Sequence, residues 1–371
     1  MIMYRTALCV AALGGIVAAS TPTASAGVVD NLALNKPVTH TTDNEVWSAT
    51  NFTDGDVGGG GGLASESIWH FGGSYDDVIL GGNPYFGAVE IAGANNTVSI
   101  KTVRLIGTYP NIVGAGQSPR SLTIQSRDSA SDPLNATVDS GWTDLPGASF
   151  SGVVHANGSF TFDEPVKTRA IRVRITEMNA VNDRLAEIEA FSVDPHERNL
   201  AHILGVDPVL SRSDNVPLMD VTNLISLRDN NFDLSSTPNT PVSTTDDVMN
   251  YDYDFGSRQF ISGVRLYANG AIIQVDIQIP DGLGGWTTIP GGTQTNPFNA
   301  AGNAEVYYFS FPELVLSTQY LRIHTRVRDV NNDARGSARA GEIEIYNFIP
   351  EPAVLGPAVM FGAMLLMRKR R

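Results

Sequence analysis

One cysteine occurs in the whole chain of 371 residues, Cys9, within the first ten positions. Beyond it there is no disulfide to close, so hydrophobic cores must supply the stability. Basic residues are also scarce. Against 39 Asp+Glu stand 25 Lys+Arg, a formal charge of −14, and residues 27–349 alone carry −18. That excess excludes nucleic-acid backbones as partners, because they need a basic face. It suits an exported, solvated surface that holds divalent cations. His40, His70, His155, His196, His202 and His324 show no metal-ligand spacing. A G-x-S-x-G elbow and a phosphate loop are both missing. No stretch between the two ends supports a long amphipathic helix, and neither apolar terminal run reaches the usual length of a membrane span.

What the chain does have is turn residues, with 36 Gly and 20 Pro, and short runs of alternating hydrophobicity between them. In Arg169–Glu177, Ile171, Val173 and Ile175 share one face, with Arg172, Arg174 and Thr176 on the other. Tyr320–Val327 repeats this with Leu321 and Ile323 inward and Arg322 and His324 outward; Ser121–Arg127 and Ile273–Ile279 have the same period. Such spacing predicts an all-β sandwich.

The pattern occurs twice. Asn31-Leu32-Ala33 opens one block and Asn199-Leu200-Ala201 the next; Ala186-Glu187-Ile188-Glu189-Ala190-Phe191 closes the first and Gly341-Glu342-Ile343-Glu344-Ile345-Tyr346 the second. Between them, Val103-Arg104-Leu105 matches Val264-Arg265-Leu266, Arg172 matches Arg322, and the Gly-Trp-Thr phrase at Gly141 matches that at Gly285. The expected organisation is residues 1–26 as leader, 27–194 and 195–348 as tandem sandwiches, and 349–371 as a terminal segment. Asp194–Arg198 is the linker, short enough to keep the modules close. Ile188 and Ile343 should pack the cores, while Glu189 and Glu344 are read as solvated neighbours. Trp142 and Trp286, in equivalent strand contexts, are read as core residues.

The ends carry address signals. Arg5, an apolar run from Ala7 to Ala19 and the close Ala24-Ser25-Ala26 form a secretory signal peptide, cleaved after Ala26. At the other end stand Pro350-Glu351-Pro352, an apolar run from Ala353 to Met367, and Arg368-Lys369-Arg370-Arg371. As a helix that run would span about 22 Å, short of a bilayer core roughly 30 Å thick. Its basic tail would stay cytoplasmic. This segment resembles the PEP-CTERM sorting signal, with Ile349 where that family usually has Val. The resemblance implies transient membrane insertion, recognition by an exosortase, and delivery to the cell surface or extracellular matrix of a Gram-negative-type bacterium.

Asn31-Leu32-Ala33-Leu34-Asn35-Lys36-Pro37-Val38, then Ala49–Asp56, then Ala186-Glu187-Ile188-Glu189 resemble the discoidin family, the coagulation factor type C domains. The second block resembles it more distantly. The resemblance implies two tandem jelly-roll β-sandwiches, related to galactose-binding modules, that bind glycans, lipid head groups or proteins through loops at one end. The turn at Asn51-x-x-Asp54-Gly55-Asp56 converges hard oxygens of the kind calcium prefers. By resemblance, the calcium set of the first module is Asn51, Asp54, Asp56, Ser65 or Ser67, Ala186 and Glu187. In the second it is Asp229, Asn231, Gly341 and Glu342. The Asp329-x-Asn331-x-Asp333 phrase lacks the Gly and Glu of an EF-hand and reads as a polar turn.

Sugar binding would need an aromatic platform flanked by hydrogen-bonding groups. Trp47, Trp69, His70 and Tyr75 are the loop candidates. Glu187 and Glu189 sit about 6.6 Å apart on one strand face, near a glycosidase spacing, but two acids on one strand do not flank a substrate. The chain therefore reads as a non-catalytic, exported protein that binds extracellular polysaccharide or other glycan with structural calcium. The competing reading is a matrix protein whose modules mediate assembly.

Overall fold

The computed structural model describes residues 29–40, 52–53, 69–70, 84–93, 95–107, 119–128, 140–153, 158–178, 184–212, 227–228, 240–241, 248–269, 272–295, 304–311, 316–327 and 337–347. The signal peptide, the sorting motif with its apolar run, and the 329–333 turn lie outside them.

The first module contains β1 (Val38–His40), β2 (Trp69–His70), β3 (Tyr85–Glu90), β4 (Val98–Gly107), β5 (Pro119–Arg127), β6 (Thr143–Phe150), β7 (Gly158–Thr168), β8 (Ala170–Met178) and β9 (Arg184–Phe191). They form a five-stranded sheet in the order β1-β3-β8-β5-β6 and a four-stranded sheet in the order β2-β9-β4-β7. The period of two decides which residues lie between them. Ile171, Val173 and Ile175 of β8 and Leu122 and Ile124 of β5 face Val103 and Leu105 of β4 and Ile188 and Ala190 of β9 in one buried cluster. Removing one such side chain, as in Ile188→Ala, costs about 2–5 kcal/mol.

The second module repeats this plan with β10 (Val209–Arg212), β11 (Thr240–Pro241), β12 (Val248–Asn269), β13 (Ile272–Pro280), β14 (Trp286–Thr295), β15 (Ala304–Ser310), β16 (Leu316–Val327) and β17 (Ser337–Asn347). Its strands join in a single eight-stranded sheet because β12 runs through both layers. The first half of β12 pairs with β10 and β16, and its second half with β15 and β17. The pairing shifts between Asp254 and Gln259, around Gly256 at φ 70°. Only a residue without Cβ takes that angle freely, and the Asp254 carboxylate accepts the Gly256 N–H at 2.9 Å. The first module turns the same corner between β3 and β4, with Gly93 and Asn95 in left-handed conformations. The second core gathers Val275, Ile277, Leu321, Ile323, Ile343 and Ile345 with Tyr251, Tyr253 and Phe309. Ile188 and Ile343 occupy the expected core positions.

The repeated Asn-Leu-Ala opening ties each module shut. Asn31 Oδ1 accepts the N–H groups of Ala33 (3.0 Å) and Ala190 (3.1 Å), holding the module's first turn against its last strand. Asn199 Oδ1 does the same with Ala201 (3.2 Å) and Ile345 (3.1 Å), and its Nδ2 donates to Ile343 O (3.2 Å). Asn199 also caps a short helix, α1 (Leu200–Leu204), which Gly205 ends at φ 63°. Asn is favoured there because its side chain satisfies a helix-terminal N–H. The opening and closing phrases are thus hydrogen-bonded partners.

Candidate functional site

The four-stranded layer of each module buries its outer face against the other module. In the first, Arg104 on β4 and Glu189 on β9 are cross-strand partners. In the second, Arg265 on β12 and Glu344 on β17 are. These four charges bond across the junction. Arg104 donates to both Glu344 oxygens, at 2.6 and 2.9 Å. Arg265 pairs with Glu189. Tyr267 donates its hydroxyl to Glu189 (3.0 Å) and accepts from Arg104 (3.2 Å), while Tyr346 donates to Glu344 (2.6 Å). The Phe191 ring lies against both guanidiniums, at 5.2 Å from Arg104 and 5.4 Å from Arg265. Glu189 and Glu344 are fully buried, which corrects their reading as solvated residues.

Bidentate charge-assisted bonds are what make such burial tolerable. Burial alone would raise the Glu344 carboxyl, but Arg104 and then Arg265 hold it below the usual glutamate range. Burial opposes the charge on Arg104, yet Glu344 and the two tyrosines keep its pKa well above the ordinary value. The same burial pushes the Tyr267 and Tyr346 phenols upward, so both remain neutral donors.

A second repeated arrangement lies on the outer face of each five-stranded layer. Arg172 has its guanidinium over Phe86 at 4.2 Å and over Trp142 at 4.6 Å, and donates to Gln125 at 2.5 Å. Arg322 lies over Trp286 at 4.3 Å and is bound by both Asp252 oxygens, at 2.6 and 2.7 Å. Strand register equates Asn250 and Asp252 with Phe86 and Ala88. The first arginine is therefore covered by rings, and the second is charge-compensated. Trp142 is buried as expected, but with Phe86, Ala88 and Ala170 in a cluster separate from the sandwich core. Trp286 is only half-buried.

The proposed calcium residues divide sharply. Ala186 and Glu187 on β9 are fully buried at the sheet end where β4 stops, and Glu342 on β17 is fully buried opposite Tyr267 of β12. Gly341 lies beside Glu342 on β17. Asn51, Asp54, Asp56, Ser65, Ser67, Asp229 and Asn231 lie outside the described residues, as do Trp47 and Tyr75. The turn leading into the first loop is fixed. Phe52 enters the core, and Thr53 donates its hydroxyl to Lys36 O at 2.9 Å. By chain position Leu227 and Arg228 replace that pair in the second module. Leu227 is in the core, and Arg228 bonds Asp207 at 2.7 Å. Burial raises the Tyr253 phenol, with Glu342 and Asp207 adding to the effect and Arg228 opposing it. Arg228 is thus a cation fixed on Asp207, where the first module has a neutral Thr53. Among the described residues, no group of three His, Cys, Asp or Glu could hold a metal ion.

Strand β2 pairs with the start of β9, Trp69 opposite Leu185 and His70 opposite Arg184. These partners immediately precede Ala186 and Glu187. Strand β11 takes the corresponding edge of the second module with Thr240 and Pro241. Sequence reasoning missed one further pairing. His196 and His202 lie with ring centroids 3.5 Å apart, tilted by 39°, across the linker turn, and burial followed by His202 lowers the pKa of His196. Among the described residues no helix is long and apolar enough to cross a membrane.

No family model matches the chain, and no curated protein does. Solved structures do resemble it. A fucolectin from striped bass (Morone saxatilis) serum matches over 87% of this chain and 100% of its own, at 15% identity and TM-score 0.33. A family 32 carbohydrate-binding module of C. perfringens NanJ, in complex with galactose, matches over 44% of this chain and 99% of its own, at 12% identity and TM-score 0.31. A chitosan-binding module of a Paenibacillus chitosanase/glucanase, in complex with chitotriose, matches over 43% and 99%, at 21% identity and TM-score 0.31.

Proposed function

We propose that this chain is an exported, non-catalytic protein of the cell surface or extracellular matrix whose first module binds extracellular glycan. The observation that carries this reading is the pairing of Trp69 and His70 with β9 beside Ala186 and Glu187. Two of the aromatic candidates, Trp69 and His70, then share one end of the sandwich with two of the candidate metal ligands, Ala186 and Glu187, as a sugar platform stiffened by an ion requires. In this reading calcium is structural and belongs to the first module. The buried Glu187 carboxylate and the Ala186 carbonyl would hold it together with the Asn51–Asp56 turn, and the ion would neutralise acids converging from separate segments. The C-terminal segment would be inserted transiently in the membrane, read by an exosortase, and then released to the surface.

A glycan array probed with and without calcium tests the binding, with galactose and chitotriose conjugates as starting ligands. Loss of the signal in Trp69→Ala supports the proposal. A blank array with self-association in its place would favour an assembly role. Calcium should raise the melting temperature of the parent and of Glu342→Gln but not of Glu187→Gln. A melting curve indifferent to calcium and chelator in the parent sinks the metal assignment.

A further inference from the structure

The swapped ion pairs fix the direction in which the two modules face. Two face-packed sheets related by a two-fold axis can place equivalent strands in the same or in opposite senses. If the axis crossed the strands, Arg104 would lie over its own counterpart, Arg265. Instead each arginine meets the other module's glutamate. That requires the axis to run along the strands, so equivalent strands share one sense.

Contacts at one end agree. Phe191 and Tyr346, which are equivalent residues, cluster with Val29. Tyr308 donates to Val29 O at 2.8 Å, and Thr161 on β7 donates to the linker's Asp194 at 3.1 Å. The first described residue of the fold and its last strand residues, Tyr346 and Asn347, therefore emerge together. Glu187 and Glu342 lie four residues back along β9 and β17, about 13 Å towards the other end.

We infer that the folded unit is polar: both its chain ends leave at one end, and the Glu187 and Glu342 ends of both modules face the opposite way. When the protein is held at its C-terminal end, these two ends are presented together, outward, to a glycan approaching from beyond the attachment surface. The attachment and the ligand class rest on the reading proposed above; the polarity does not.

Two measurements on the full-length chain carrying Cys9→Ser separate the two ideas. Spin labels on cysteines at Thr176 and Arg326, exposed equivalent positions near the outward end, should lie closer together than labels at Thr176 and Leu283, a hairpin tip at the terminal end. The reverse order overturns the polarity. For function, the chain is biotinylated either at its C-terminus or at one of the two outward cysteines, immobilised, and exposed to the galactose and chitotriose conjugates. C-terminal attachment should preserve binding, and attachment at Thr176 should abolish it. Equal binding in both orientations overturns the outward display. If neither conjugate binds even in free solution, the glycan reading falls and the display inference with it, while the label distances still report the polarity.

Discussion

Removing Arg104 with Met should cost the chain about 3–5 kcal/mol, the usual penalty for leaving one member of a buried pair uncompensated. Both partners are fully buried, so solvent provides little relief for the orphaned Glu344. Removing Glu344 as well, in Arg104→Met with Glu344→Leu, takes out both charges and leaves Arg265 with Glu189. That double variant should lie within about 1–3 kcal/mol of the parent, because similarly sized apolar groups often replace a buried pair without net loss and the remaining cost is the buried Tyr346 hydroxyl left without its acceptor. Removing both arginines has the opposite consequence. It leaves two buried glutamates facing each other's modules, and the costs should at least add, to about 6–10 kcal/mol. Urea titrations followed by tryptophan fluorescence and far-UV circular dichroism measure all four chains. The damage falls at the junction and spares the separate cores, so one cooperative transition should split into two. Equal destabilisation by the two double variants would refute the reciprocal pairing.

Acid should loosen the same junction. Glu344 has a folded pKa below its ordinary 4.5. The unfolded chain therefore binds the proton more readily, and the stabilisation is complete above that value and lost as pH falls through the lower folded one. A melting series from neutral pH to pH 2 that shows no decline below about 4.5 contradicts the assignment. Asn199→Ala removes a helix cap and leaves the buried Ile345 N–H and Ile343 O without their side-chain partner, at about 2–5 kcal/mol by urea denaturation. Asn199→Asp keeps the acceptor oxygen and should cost less. Gly263→Ala sets a Cβ 2.7 Å from Phe309 O, a contact only backbone movement relieves, so a loss of about 1–3 kcal/mol is expected in the same assay.

The strands and their cores could be read from the sequence because alternation is local. Ile171, Val173 and Ile175 declare a buried face whatever lies opposite. The fate of Glu189 and Glu344 could not, since an outward-facing residue on a strand is solvated only if nothing covers its sheet. What covers each sheet here is the other module, and a long-range pairing between Arg104 and Glu344 leaves no periodic trace. One signal was available. Arg104 and Arg265 recur in the same Val-Arg-Leu context, and Glu189 and Glu344 in the same Glu-Ile-Glu phrase. Two charges of opposite sign repeated at corresponding places on one sheet face make that face complementary to its own copy. The candidate ligand end was legible in part. Glu187 and Trp69 stand out in the sequence, but their proximity depends on the pairing of β2 with β9, which joins segments more than a hundred residues apart.

The two modules also differ unevenly from face to face. Residues facing the junction are held in matched pairs, because a change in Arg104 strands Glu344 on the other copy. The sheet faces turned away from the junction carry no such reciprocal constraint. There Phe86 and Ala88 correspond to Asn250 and Asp252, and an arginine covered by rings in one module is bound by a carboxylate in the other. The same freedom reaches the outward ends. Trp69 and His70 take the edge beside Glu187, while Thr240 and Pro241 take the corresponding edge of the second copy, and Arg228 stands where Thr53 would be. The shared junction keeps the modules aligned while each outward end acquires its own chemistry. In the glycan-binding reading proposed above, the second module's contribution is to fix the direction of the first.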